Sequence, residues 1–95
     1  MANLVIRNAR LVDGSGAPER HADVVVDGDR ILAVEDAGTA PTSGSGRVID
    51  ADGLLVTPGF VDIHTHYDAQ VTWDPYVTPS SWHGVSTVVM GNCGV

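Results

Sequence analysis

Short apolar runs separated by turn-forming residues fill the first part of the chain. "NLVIRNARLVDG" reads as two β-rich runs with a polar break at Asn8. "ADVVVDGDRILAVE" places Val24 to Val26 before Asp27-Gly28 and Ile31 to Val34 after it. An Asp-Gly pair between such runs predicts a hairpin, because glycine takes positive φ at little cost. Ala37 to Gly46, "AGTAPTSGSG", has no apolar periodicity and reads as a loop. "RVIDADGLLVTPG" predicts two more strands around a tight turn at Ala51 to Gly53. Residues 1–57 are therefore expected to form a β-meander, the N-terminal part of a small β-sandwich domain.

The pattern changes in residues 58–95. Phe60 to Ile63 is an apolar run with one aspartate, as in a strand buried on both faces. In "TPSSWHGV", Thr78 suits a helix N-cap, Pro79 the first helical position and Gly84 the helix end. Ser86 to Met90 is a second buried-strand run, closed by a Gly-Asn-Cys-Gly turn. Strand, helix and strand in that order predict a parallel βαβ unit. The fold class expected is α/β with a β-rich N-terminal part: a small β-sandwich followed by the first strands of a (β/α)8 barrel, left incomplete. Such barrels carry their chemistry at the C-terminal ends of strands, where His64, His66 and Cys93 fall.

Composition narrows the functions. Twelve acidic residues face five arginines and no lysine, for a net charge of −7, so a nucleic-acid or anionic-membrane surface is not expected. The single cysteine excludes an internal disulfide framework and agrees with a reducing, cytoplasmic setting. "MANLVIRNARLVDG" has no long apolar stretch, and no run approaches a membrane span. With 43% apolar residues, the 95-residue chain has material for a modest core.

The candidate chemistry lies in "PGFVDIHTHYDAQ". Strand side chains alternate faces, so His64 and His66 share one face and could converge on a divalent ion such as zinc. Cys93 at the next strand end could supply a thiolate to the same ion, a donor mix that suits zinc. Its bland alternative is a buried small hydrophobe. Asp68 could orient an imidazole or cap a turn, and Asp62 is expected to support the site or the backbone. His83 and His21 read as ordinary structural histidines, His21 at a strand edge. Trp73, Tyr76 and Trp82 read first as core, with Trp73 a candidate for a substrate pocket.

The text "HTHYD" with "SSWHGVSTVVMGNCG" resembles the amidohydrolase superfamily of metal-dependent hydrolases, and within it the N-acyl-D-amino-acid deacylases, or D-aminoacylases. "LVIRNARLVDGSG" and "DVVVDGDRILAV" resemble the opening of the small β-domain of that superfamily. The resemblance implies a zinc enzyme that hydrolyses N-acyl-D-amino acids to a carboxylic acid and a D-amino acid. It makes His64 and His66 the first-strand pair of a binuclear-type metal site. Cys93 becomes the ligand that replaces a carboxylated lysine or a glutamate in related enzymes. The family's remaining histidines and its general-base aspartate match nothing here. A whole barrel needs about 250 residues, so the chain is expected to be an N-terminal segment, inactive alone. Two other readings stand beside it. One is a different amidohydrolase, such as a hydantoinase or dihydropyrimidinase relative. The other is a non-catalytic β-rich module that self-associates through exposed sheet edges.

Overall fold

The structure, a computed structural model, describes residues 2–42, 44 and 46–91. The chain divides into two compact units, Met1–Pro58 and Gly59–Val95.

The first unit is one mixed sheet of five strands: β1 (Leu4–Leu11), β2 (Arg20–Asp27), β3 (Arg30–Asp36), β4 (Arg47–Asp50) and β5 (Leu55–Val56). The order is β3-β2-β1-β4, and β5 also pairs with β1. The expected hairpin joins β2 to β3, with Asp27 opposite Arg30 and Gly28 at φ 60°. Pairing brings Val5 opposite Val25 and Ile6 opposite Val24. Because side chains alternate, these pairs sort to opposite faces. Val5, Val25 and Ala40 pack together on one, and Leu11, Ala22 and Val24 on the other. The second face remains open around an apolar cleft of about 250 Å³ that includes Ile6, Ile31, Val34 and Val56.

Three expectations for this unit need correction. The "polar break" at Asn8 does not divide two strands. β1 continues through it, with a register shift between Ile6 and Ala9 and Asn8 at φ 59°. The meander stops at three strands, because β4 and β5 both run parallel to β1 instead of pairing with each other. The turn at 51–54 lies opposite the irregularity in β1. Ala51 N–H donates to Arg7 C=O at 2.8 Å, and Gly53 N–H to Asn8 C=O at 2.9 Å. The irregular backbone is thereby satisfied locally. His21 lies in β2, an interior strand, although its side chain is exposed.

A buried carboxylate organises this sheet. Asp23 on β2 accepts the N–H groups of Asn8 and Gly38 on Oδ1 and of Ala40 on Oδ2, at 2.9, 3.0 and 3.0 Å. Burial pushes its pKa up, but the three amides and Arg7 outweigh that and hold it below the ordinary aspartate value.

The second unit contains β6 (Phe60–Asp62) and β7 (Val85–Val88), paired in parallel as expected. The connection contains two 3-10 helices, Gln70–Thr72 and Ser80–His83; the second lies where a short helix ending at Gly84 was predicted, and it is 3-10 instead of α. Pro79 is the cap of the second, and the Thr78 side chain bonds Asp74 instead of capping. Gly84 ends it at φ 87°, the left-handed conformation that favours glycine. Gly59 meets a different demand. A Cβ built there would lie 2.5 Å from Ser86 Cβ and collide with its Oγ.

β6 is not buried on both faces: Phe60 and Val61 are each 58% exposed. Two paired strands cannot cover their own faces, and the short 3-10 segment beside β7 leaves Phe60 and Val61 open. For the same reason the aromatics expected in the core stand out: Trp73, Tyr76 and Trp82 are 72–75% exposed. No described helix is long and apolar enough to cross a membrane.

Candidate metal and substrate site

The chain leaves β6 at Asp62, whose Oδ1 accepts the N–H of His64 at 3.2 Å, an Asx-type turn. His64 and His66 thus lie in the loop after the strand, and not on the strand as the sequence suggests. Exposure nevertheless alternates from 64 to 67. Thr65 and Tyr67 are buried, while His64 and His66 are exposed.

Two anchors maintain that alternation. Thr65 Oγ1 donates to the Val89 carbonyl at 2.9 Å, and Val89 N–H donates to the Asp62 carbonyl at 2.8 Å. Tyr67 Oη and Ser80 Oγ share a hydrogen bond of 2.7 Å, and Ser80 N–H donates to Tyr67 Oη at 3.3 Å. The segment borders an open cleft of about 290 Å³, lined by Asp62, His64, His66 and Gln70 together with Thr65, Tyr67 and Ser80.

The imidazole rings have centroids 5.4 Å apart and planes inclined at 35°. A zinc–nitrogen bond of about 2.0 Å plus about 1.1 Å to the ring centre puts two imidazoles on a tetrahedral ion about 5.1 Å apart, centre to centre. The observed spacing fits. Among the described residues, no group of three or more His, Cys, Asp and Glu is gathered closely enough to hold a metal ion. Cys93 and most of the Gly-Asn-Cys-Gly turn lie outside the described residues.

The remaining sequence-predicted residues divide. Asp62 lines the cleft with the histidines. Asp68 is half-buried, and its Oδ1 has no hydrogen-bond partner among the described residues. Trp73 and His83 are exposed and not among the cleft-lining residues.

Sequence reasoning missed Asp74, which is buried. Its Oδ2 accepts Thr78 Oγ1 at 2.7 Å, Thr78 N–H at 2.8 Å and Gln70 Nε2 at 2.9 Å, and its Oδ1 accepts Tyr76 N–H at 3.1 Å. These bonds, the Thr78 hydroxyl first, lower its pKa to about 2. The usable signal was Asp-Pro with a threonine four residues on, a turn-initiating pattern.

The amidohydrolase family model matches residues 47–95. The N-acyl-D-aspartate deacylase of Alcaligenes xylosoxydans xylosoxydans is 45% identical over 94 residues, which are 99% of this chain and 18% of that protein. A solved structure concerning the binuclear metal centre of D-aminoacylase aligns with a TM-score of 0.86 and 43% identity, over 98% of this chain and 19% of its own. The N-acyl-D-glutamate deacylase from Bordetella bronchiseptica, complexed with zinc and a phosphonate mimic of the tetrahedral intermediate, aligns with a TM-score of 0.85 and 38% identity, over 99% and 19%. The chain thus spans about a fifth of the length of the relatives it matches. The described fold is β-rich and corresponds to the N-terminal part of those enzymes. With the histidine loop, β7 and the segment after it all inside the matched region, the chain belongs to the amidohydrolase family.

Proposed function

We propose that the chain is the N-terminal segment of a zinc-dependent amidohydrolase that cuts the amide of N-acyl-D-amino acids, releasing a carboxylic acid and a D-amino acid. The observation that carries this is the histidine pair, facing one cleft at a spacing that suits a shared ion. The similarity to deacylases, one of them complexed with zinc, supports the choice of substrate and metal.

In this reading His64 and His66 hold zinc through neutral imidazole nitrogens, and Cys93 adds a thiolate. When bound, zinc supplies Lewis acidity, polarising an acyl carbonyl and acidifying water. Asp62 shapes the histidine loop through the His64 N–H, and Asp68, two residues after His66, has a secondary role in the site. None of these residues transfers the proton to the leaving amine. That task falls to a general-base aspartate outside this chain. Residues 1–57 belong to a small β-sandwich and residues 58–95 to the first βαβ unit of a (β/α)8 barrel. The open faces of both sheets favour further layers over them.

The test is deacylase assay of the complete enzyme with zinc. His64→Ala or His66→Ala should lower kcat/KM on the order of 10³-fold, since zinc contributes several kcal/mol to the transition state. The 95-residue chain should show no turnover above background with the same metal. Full activity in both histidine variants, or ring opening of hydantoins in place of deacylation, would refute the reading.

A further inference from the structure

Gln70 opens the first 3-10 helix and lines the cleft with His64 and His66. Its Nε2 donates to Asp74 Oδ2 at 2.9 Å and to the Thr78 carbonyl at 2.6 Å. Both partners can only accept: one is a backbone carbonyl, the other a carboxylate that stays ionised because four hydrogen bonds reach it. The orientation of the amide is therefore decided by its surroundings. An amide nitrogen has two hydrogens, and both are used. What the side chain has left to offer the cleft is Oε1, a neutral acceptor.

The hydroxyl of Thr65 donates to the Val89 carbonyl, and those of Tyr67 and Ser80 share one hydrogen bond. Asp62, the carboxylate of the cleft, accepts the N–H of His64 on Oδ1. Gln70 adds a neutral acceptor, fixed through its own amide nitrogen, to the cleft that holds the two imidazoles.

We propose that Gln70 is a specificity-determining residue of this cleft, its Oε1 accepting the N–H of the secondary amide that is cut. The proposal rests on the deacylase reading. An N-acyl-D-amino acid with an acidic or apolar side chain carries one such donor at neutral pH, the N–H of the scissile amide itself. Asp74 is the positioning residue behind it, holding the amide nitrogen so that the oxygen is presented. A site built around a substrate N–H discriminates against analogues that lack it.

The test compares two substrates in the complete zinc enzyme: an N-acyl-D-amino acid, and the ester in which oxygen replaces the amide N–H. Gln70→Met has similar length and no acceptor, and Asp74 retains its Thr78 and Tyr76 donors. This variant should lose about tenfold more in kcat/KM on the amide than on the ester, the size of one neutral hydrogen bond. Equal loss on both overturns the proposal while leaving the deacylase reading standing. A wild-type enzyme that cleaves neither overturns both. A second measurement needs no variant: the wild-type enzyme should cut the N-methylated amide more slowly than the secondary amide. Equal rates there also overturn the role of Gln70.

Discussion

Replacing Asp23 with alanine should remove a large part of the stability of the first unit. The carboxylate is 0% exposed and ties the irregular turn of β1 and the 37–40 segment to β2. Asp23→Ala leaves three backbone N–H groups without their acceptor. It also leaves Arg7, whose Nε lies 3.8 Å from Oδ2, without a counter-charge. The three bonds do not simply add. The N–H groups of Asn8 and Gly38 belong to part-buried bonds and regain water, whereas that of Ala40 is buried. Counting the last in full and the others in part gives about 3–5 kcal/mol, the range for removing one partner of a buried charge network. A unit spanning Met1–Pro58 has a stability of about 3–9 kcal/mol at ordinary values per residue.

Asp23→Asn provides the control. It retains an acceptor on Oδ1 for Asn8 and Gly38 but sets an NH2 against the Ala40 N–H. Its cost should be smaller, about 2 kcal/mol. Urea unfolding followed by far-UV circular dichroism reads the effect. Tryptophan fluorescence does not, because every Phe, Tyr and Trp lies at position 60 or beyond. Since folding lowers the Asp23 pKa, its contribution is complete above the ordinary aspartate value and is lost as pH falls through the folded value. Asp23→Asn should remove that acid limb. A loss below about 1 kcal/mol for Asp23→Ala, or an asparagine variant less stable than the alanine variant, would refute the reasoning.

Two further outcomes follow from the second unit. Asp74, with its pKa lowered to about 2, should stabilise the 70–78 turn fully above pH of about 4 and lose that contribution as pH falls toward 2; Trp73 fluorescence should show an acid transition that Asp74→Asn lacks. Gly59→Ala should destabilise by about 1–3 kcal/mol through overpacking against Ser86, and Ser86→Gly in the same chain should restore most of it. A thermal melt in which Gly59→Ala is neutral would contradict the close approach.

The hairpin at Gly28 was legible because it is local: a turn pair between two apolar runs, Val24 to Val26 and Ile31 to Val34. The partners of β4 and β5 were not. Alternation states which face a residue takes but not which strand lies beside it, and these segments chose β1 across more than forty residues. Asn8 was misread for a related reason. A polar residue with positive φ looks like a break until Asp23, fifteen residues away, is seen to accept its N–H. Apolar runs such as Phe60 to Ile63 were read as buried because composition reflects the layers a strand is suited to. Exposure in the structure depends on the layers present.

The histidine pair shows how a correct expectation can rest on an incomplete premise. Strand alternation was the reason for expecting His64 and His66 on one face, yet the strand ends at Asp62. Ile63 and His64 bend away from it, so no ladder carries the period of two onward. The buried residues restore it, Thr65 through the Val89 carbonyl and Tyr67 through Ser80. "HTHY" therefore works as a unit: two outward imidazoles separated and followed by two inward anchors. The anchors are hydroxyls, and their partners lie thirteen and twenty-four residues downstream. A search for ligands alone passes over them, because a hydroxyl at 65 or 67 has no metal chemistry to advertise. Its contribution is to direct the neighbouring imidazoles to the same cleft.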